Sequence, residues 1–212
     1  MSDFDKLIQS VFSGKESDVK VLVQEKLDAS IGPADIINKG LIAGMDIVGK
    51  HFKAGDMFVP EVLMAARAMA AGIELLKPYL AEDEISSSGK ILFGTVKGDL
   101  HDIGKNLVAM MLESNGYEVI DLGVDVDPET FVEAVQKHRP ELLALSALLT
   151  TTMMHMKETV ELVKKQSFQI KVIVGGAPVS KEYAEEIKAD GYAPDAISAV
   201  DICNELMGVT RD

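Results

Sequence analysis

KILFGTVKGDLHDIGKN, residues 90–106, is the stretch on which the reading of this chain turns. Lys90 to Val96 are apolar at nearly every position and rich in strand-forming types. Gly98 to Asn106 are polar and broken by glycine, and a helical pattern begins near Ile103. A strand that can be buried on both faces, feeding a glycine loop and then a helix, is one unit of a parallel sheet covered by helices. Ligands of such sheets bind beyond the C-terminal strand ends, where the strand order reverses. The loop after this strand is therefore where chemistry is expected.

Downstream the pattern repeats. Tyr117–Leu122 (YEVIDL), Glu141–Ala147 (ELLALSA) and Gln169–Val174 (QIKVIV) read as strands, with helices beginning near Pro128, Thr152 and Ser180. A weaker fifth strand is expected at Gly191–Ala193, leading into a last helix from about Asp195. Upstream the period is helical instead. Phe4, Leu7, Ile8, Val11 and Phe12 mark a first helix stopped by Gly14. Ser17 is a candidate cap for a second, whose apolar positions are Val19, Leu22, Val23 and Leu27. Pro33 suits the first turn of a third helix running to about Phe52, and Pro60 that of a fourth. In the fourth, Ala65, Ala66, Ala68, Ala70, Ala71 and Gly72 leave a surface of small side chains that a neighbouring helix or a flat ligand can approach. This half reads as a four-helix bundle. The aperiodic AEDEISSSG (residues 81–89) is the natural linker, giving a helical domain with linker over 1–88 and an α/β domain over 89–212.

The charge balance narrows the partners. Asp plus Glu number 34 against 21 Lys plus Arg, a net charge of −13, which disfavours nucleic acid and anionic membranes. The absence of Trp removes one stacking platform for single strands. No apolar run approaches the roughly 20 residues of a membrane span. A single cysteine, Cys203, excludes an intramolecular disulfide, and the first residues, MSDFDKLIQ, lack a signal-peptide pattern; a cytoplasmic setting is expected.

Within the loop, Asp99 and His101 stand two apart, so in an extended segment both side chains leave the same side and can hydrogen-bond. A carboxylate behind a histidine fixes its tautomer, raises its basicity and frees the other nitrogen for a metal. Gly98 and Gly104 permit a tight turn and close approach of a bulky group. On the residues alone two readings stand: a satisfied polar turn, or a tuned single His–metal bond.

The longer string Asp99-x-His101-x-x-Gly104 resembles the signature of the cobalamin-binding domains of methionine synthase, of corrinoid methyl carrier proteins and of B12-dependent mutases. Ser146-x-Leu148, ending the third strand, is similar to the family's second motif, and Gly175-Gly176, ending the fourth, to its third. The helical half resembles the cap domain of methionine synthase and of the stand-alone carriers, with Phe52 and Asp56–Val62 (DMFVPEV) similar to its cap segment. The implied fold is an N-terminal four-helix bundle cap plus a C-terminal α/β Rossmann-like (flavodoxin-like) domain with a five-stranded parallel sheet.

By the same resemblance, cobalamin or a related corrinoid binds base-off with His101 as the lower cobalt ligand, Asp99 takes the other imidazole N–H, and Thr152 passes a hydrogen bond to Asp99. That relay is expected to take up a proton as the histidine releases Co(I). Gly98, Asp102, Ile103 and Gly104 line the cofactor. Leu148 also contacts the cofactor, Ser146, Thr150, Gly175, Gly176 and Ala196 face the displaced nucleotide tail, and Phe52, Val59 and Val62 cover the upper corrin face. The implied function is a methyl shuttle: Co(I) is methylated from a small donor by a substrate-specific corrinoid methyltransferase. Methyl-Co(III) is then emptied onto a pterin or thiol by an acceptor methyltransferase, and a reductive activation protein serves the cycle in an anaerobic setting. The cap is expected to swing about the 81–89 linker. The alternative is the small cobalamin-binding subunit of an adenosylcobalamin mutase, against which a shielding bundle argues. A B12 sensor lacks its basic recognition helix, and a phosphorylated receiver domain its aspartate cluster.

Other candidates carry less. His51, His138 and His155 lack zinc spacing. Met153, Met154 and Met156 suit core packing, and Cys203 a buried apolar position. Asp127 before Pro128 reads as an N-cap beside Asp121 and Asp125, and Lys97 and Lys105 as balancing local charge.

Overall fold

The computed structural model describes residues 4–79, 88–166 and 168–209. It divides into two compact units, residues 1–86 with Ser114–Gly116, and Ser87–Glu113 with Tyr117–Asp212. Residues 81–87 of the expected linker lie outside the described residues.

The first unit is helical: α1 (Asp5–Phe12), α2 (Glu16–Asp28), α3 (Pro33–Ile36), α4 (Ala43–Ala54) and α5 (Val59–Leu76). Between α3 and α4, Ile37–Ile42 winds as a π-helix, so the single helix expected from Pro33 to Phe52 is one rod with a wide turn inside it. Gly40 sits in that turn, where a Cβ would come within 2.5 Å of the Leu7 side chain, and at Gly44 one would meet Val11 at 2.7 Å. Close packing of α1 on this rod thus rests on two missing side chains. Leu7, Val11, Val19, Val23, Ile36, Leu41, Ala65, Ala66, Ala68 and Met69 are fully buried, so the small face of α5 is used for helix packing. Ser17 does not cap α2; the helix begins at Glu16 after Lys15, which makes no side-chain cap.

The second unit alternates β1 (Lys90–Thr95), α6 (Ile103–Glu113), β2 (Glu118–Asp121), α7 (Pro128–His138), β3 (Leu142–Ser146), α8 (Met153–Lys165), β4 (Lys171–Gly175), α9 (Lys181–Glu186), β5 (Gly191–Ala193) and α10 (Ala196–Met207). The five strands are parallel in the order β2-β1-β3-β4-β5. Residues of β1, β3 and β4 are buried almost throughout, as their unbroken apolar runs require. Phe131 of α7 lies over Gly94 of β1, where a Cβ would stand 2.8 Å from the ring. The glycine inside the strand is there for that ring. Chain order reverses between β1 and β3, paired from Ile91↔Leu142 to Thr95↔Ser146, so the loops after these two strands diverge and leave a crevice.

Two local expectations fail on side-chain chemistry. Asp127 holds the N-cap position of α7 but makes no cap bond; its carboxylate pairs with Lys97 at 2.6 Å. Met154 is exposed rather than core, while Met156 is buried.

Candidate functional site: the crevice between the first and third strands

The loop after β1 is pinned by backbone and side chains alike. Gly98 adopts φ +77°, a conformation glycine takes without strain, and the turn closes with the Asp99 N–H on the Val96 carbonyl at 3.1 Å. The turn drives the Asp99 carboxylate inward, where it is fully buried. Its Oδ1 accepts from the His101 backbone N–H at 3.1 Å and lies 2.7 Å from His101 Nδ1. Its Oδ2 faces the loop after β3, accepting from the N–H groups of Leu148 (2.7 Å) and Leu149 (3.2 Å) and standing 2.7 Å from Thr152 Oγ1. The Thr152 hydroxyl has one proton and a second acceptor in reach, the Leu149 carbonyl at 2.9 Å.

Burial pushes the Asp99 carboxyl upward, but the Leu148 N–H, the Thr152 hydroxyl and the His101 ring and N–H outweigh it and hold the group well below the usual carboxylate range. An ionised, fully buried carboxylate aimed at Nδ1 requires a proton there, so in a neutral ring Nε2 is the acceptor. The His101 side chain is 49% exposed, and the Thr95 hydroxyl donates to its carbonyl at 3.0 Å, fixing the residue from the strand side. Asp99 thus stands within hydrogen-bond distance of both His101 Nδ1 and Thr152 Oγ1.

Around the imidazole the surface is apolar and uncovered. Leu100 is 71% exposed, Ile103 87%, and Leu148 and Leu149 are each 42% exposed. Large aliphatic side chains left in water beside a polar relay mark a binding face. A half-exposed imidazole with Nδ1 held by Asp99, on loops that carry exposed aliphatic side chains, fits a flat macrocycle whose central metal takes one nitrogen ligand. At Gly104 a Cβ would meet nothing within 4 Å, leaving open room at the start of α6.

The remaining expected residues are more dispersed. Ser146 ends β3 half-buried, Thr150 is exposed in the loop after it, Asp102 is exposed before α6, and Ala196 opens α10 half-buried. A Cβ at Gly175 would lie 2.7 Å from the Ala193 carbonyl oxygen, and one at Gly176, with φ +122°, only 1.9 Å from that of Ala147. Both glycines are needed by the protein's own backbone. In the helical unit Phe52 is half-buried and Val59 exposed, whereas Val62 is 3% exposed and offers a ligand almost no surface. Sequence reasoning passed over the Leu148 and Leu149 amides, because backbone donors leave no mark in residue identity. Lys105, expected to balance local charge, is ion-paired with Asp121 and bonded to Asn106 Oδ1 at 2.8 Å, and its burial is what the sequence did not reveal.

Two models, each described as a B12 binding domain, match residues 89–201 and 3–77. The chain belongs to the corrinoid, B12-binding proteins. A corrinoid protein of Desulfitobacterium hafniense (strain Y51) is 43% identical over 213 residues, covering 98% of this chain and 99% of its own length. A dimethylamine corrinoid protein of Methanosarcina barkeri is 42% identical over 205 residues, 95% of this chain and 96% of that one. Among solved structures, the methanol:cobalamin methyltransferase complex of Methanosarcina barkeri contains a chain that superposes with a TM-score of 0.88 at 34% identity, covering 99% of this chain and 81% of the other. For this corrinoid protein, no helix among the described residues is long and apolar enough to cross a membrane.

Proposed function

We propose that this corrinoid protein carries a methyl group on cobalt, taking it from a small methylated donor through one methyltransferase and yielding it to a pterin or thiol through another. The observation that carries this reading is the buried Asp99 carboxylate at 2.7 Å from His101 Nδ1, which leaves Nε2 on a half-exposed ring as a single nitrogen ligand. When bound, the corrinoid supplies the cobalt that accepts and releases the methyl group. The chain's own residues do the rest. His101 Nε2 would hold the cobalt, and Asp99 holds the proton at Nδ1. Thr152 and the Leu148 and Leu149 amides keep Asp99 ionised. Where Nε2 did not hold the metal, it would be the ring position open to a proton, with Nδ1–H kept on Asp99.

Leu100, Ile103, Leu148 and Leu149 exclude water beneath the ring, Ser146, Thr150 and Ala196 meet the displaced nucleotide tail, and Phe52 and Val59 of the helical unit shield the methyl group. The donor is set by the partner enzyme: relatives matched end to end are named for dimethylamine and monomethylamine, and the superposed chain comes from a methanol complex. The same end-to-end matches favour a methyl carrier over a mutase subunit. A reductive activation protein serves the cycle.

The test is the ultraviolet-visible spectrum of the protein loaded with hydroxocobalamin, beside His101→Ala, before and after reduction and addition of iodomethane. A His-ligated spectrum absent from the variant, and methylation after reduction, support the reading; a protein that retains no corrinoid after desalting overturns it.

A further inference from the structure

A second acidic residue grips the same loop and has no part in the relay described above. Asp125 lies between β2 and α7, in the loop that follows the strand adjacent to β1, and is solvent-exposed with φ +54°. Its Oδ1 accepts from the Gly98 N–H at 2.6 Å, and its own N–H donates to the Asp99 carbonyl at 3.0 Å. One residue therefore holds the Lys97–Gly98 and Asp99–Leu100 peptide groups, which bracket the Gly98–Asp99 segment. The neighbouring pairs continue the zipper, with the Thr95 N–H on the Gly123 carbonyl at 2.9 Å and the Val126 N–H on the Thr95 carbonyl at 3.0 Å. The nearby ammonium, Lys97, pairs with Asp127.

The left-handed backbone of Asp125 is what lets side chain and N–H reach the same turn, a conformation that Asp and Asn tolerate better than most residues. The grip also explains why Gly98 can keep φ +77° in an exposed loop: its N–H has a fixed charged acceptor, the stronger kind of hydrogen bond.

We infer that Asp125 is the positioning residue that sets the aim of Asp99, and through it the tautomer and the cobalt-ligating strength of His101, by clamping the Gly98–Asp99 backbone. The inference rests on His101 as cobalt ligand, and deepens it by assigning control of that ligand to a residue whose bonds are to the loop backbone.

Three variants separate the parts. D125N keeps both bonds and the left-handed backbone, D125G keeps the backbone and the N–H but removes the side-chain acceptor, and D125A removes the acceptor and adds strain. In the corrinoid-free protein, amide hydrogen exchange at Gly98 should rise roughly five- to tenfold in D125G, the worth of one hydrogen bond, and stay near wild type in D125N. Nitrogen-15 shifts of His101 should show the Nδ1–H tautomer in wild type and D125N and a mixture in D125G and D125A. In the loaded protein, the fraction of Co(II) showing imidazole nitrogen splitting in electron paramagnetic resonance should fall in the same order.

A folded D125G that keeps wild-type Gly98 exchange, His101 tautomer and nitrogen splitting overturns the clamp, as does a D125N that loses as much as D125G. If wild type itself shows no nitrogen splitting, His101 ligation fails, and the corrinoid-free measurements still decide for or against the clamp.

Discussion

Two imidazole–carboxylate pairs in the α/β unit have nearly the same geometry: His101 Nδ1 stands 2.7 Å from Asp99 in the loop after β1, and His155 Nδ1 stands 2.8 Å from Glu158 in the first turn of α8. The difference lies behind the carboxylates. Asp99 is fully buried and takes hydrogen bonds from Leu148, Leu149 and Thr152 of another loop, whereas the Glu158 side chain is 52% exposed on the same helix as its histidine. A helical pair in solvent can turn away at little cost. What makes an imidazole a dependable ligand is less its own hydrogen bond than the anchoring of the group that receives it.

The contrast can be broken most directly at the histidines. His101→Ala should abolish the His-ligated spectrum of the cobalamin-loaded protein entirely, while His155→Ala should leave it unchanged; equal loss in both would erase the distinction. At the carboxylates, Asp99→Asn places an amide before donors that need an acceptor and should cost about 1–3 kcal/mol in urea denaturation, against less than about 0.5 kcal/mol for Glu158→Gln. Thr152→Val removes one donor to Asp99 and should cost about 1 kcal/mol, with weaker His ligation in the loaded protein.

Acid sharpens the same comparison. Because Asp99 is held below its unfolded value near 4, its contribution is fully present above about pH 5 and is lost as pH falls through the unfolded value toward the folded one. The urea midpoints of corrinoid-free wild type and Asp99→Asn should therefore begin to converge below about pH 5 and keep converging as pH falls further; a constant gap would show that Asp99 is not held ionised. The smallest effect concerns Cys203, whose thiol burial pushes up to about 12: it should resist iodoacetamide at pH 8 in the native protein and react only after denaturation.

Much of this site is legible in the sequence because it is local. Asp99 and His101 are two residues apart, their loop follows an apolar run, and glycine marks the turn, so the pair can be seen before any strand is placed. Thr152 became visible through the family resemblance, and its bond to Asp99 depends on β3 lying beside β1. Asp125 needed β2 on the other flank of β1. Strand order is a tertiary outcome that apolar runs do not encode, so the order β2-β1-β3-β4-β5 was within reach only through the flavodoxin-like resemblance. The same limit explains the helical unit. Its helices follow from their period, but the π-turn at Ile37–Ile42 arises where Gly40 meets Leu7 of a different helix, and Val62 looked available to a ligand until the bundle buried it.

The partners of Asp99 in the β3 loop lie 49 to 53 residues further along the chain. During synthesis His101 therefore leaves the ribosome long before anything can hold its carboxylate, and the loop must wait for β3 to emerge and dock beside β1. Closing that span costs entropy that no local contact returns. The site is in this way timed by the chain itself: a nascent protein halted before Leu148 has Asp99 and His101 but none of the β3-loop groups that hold the carboxylate.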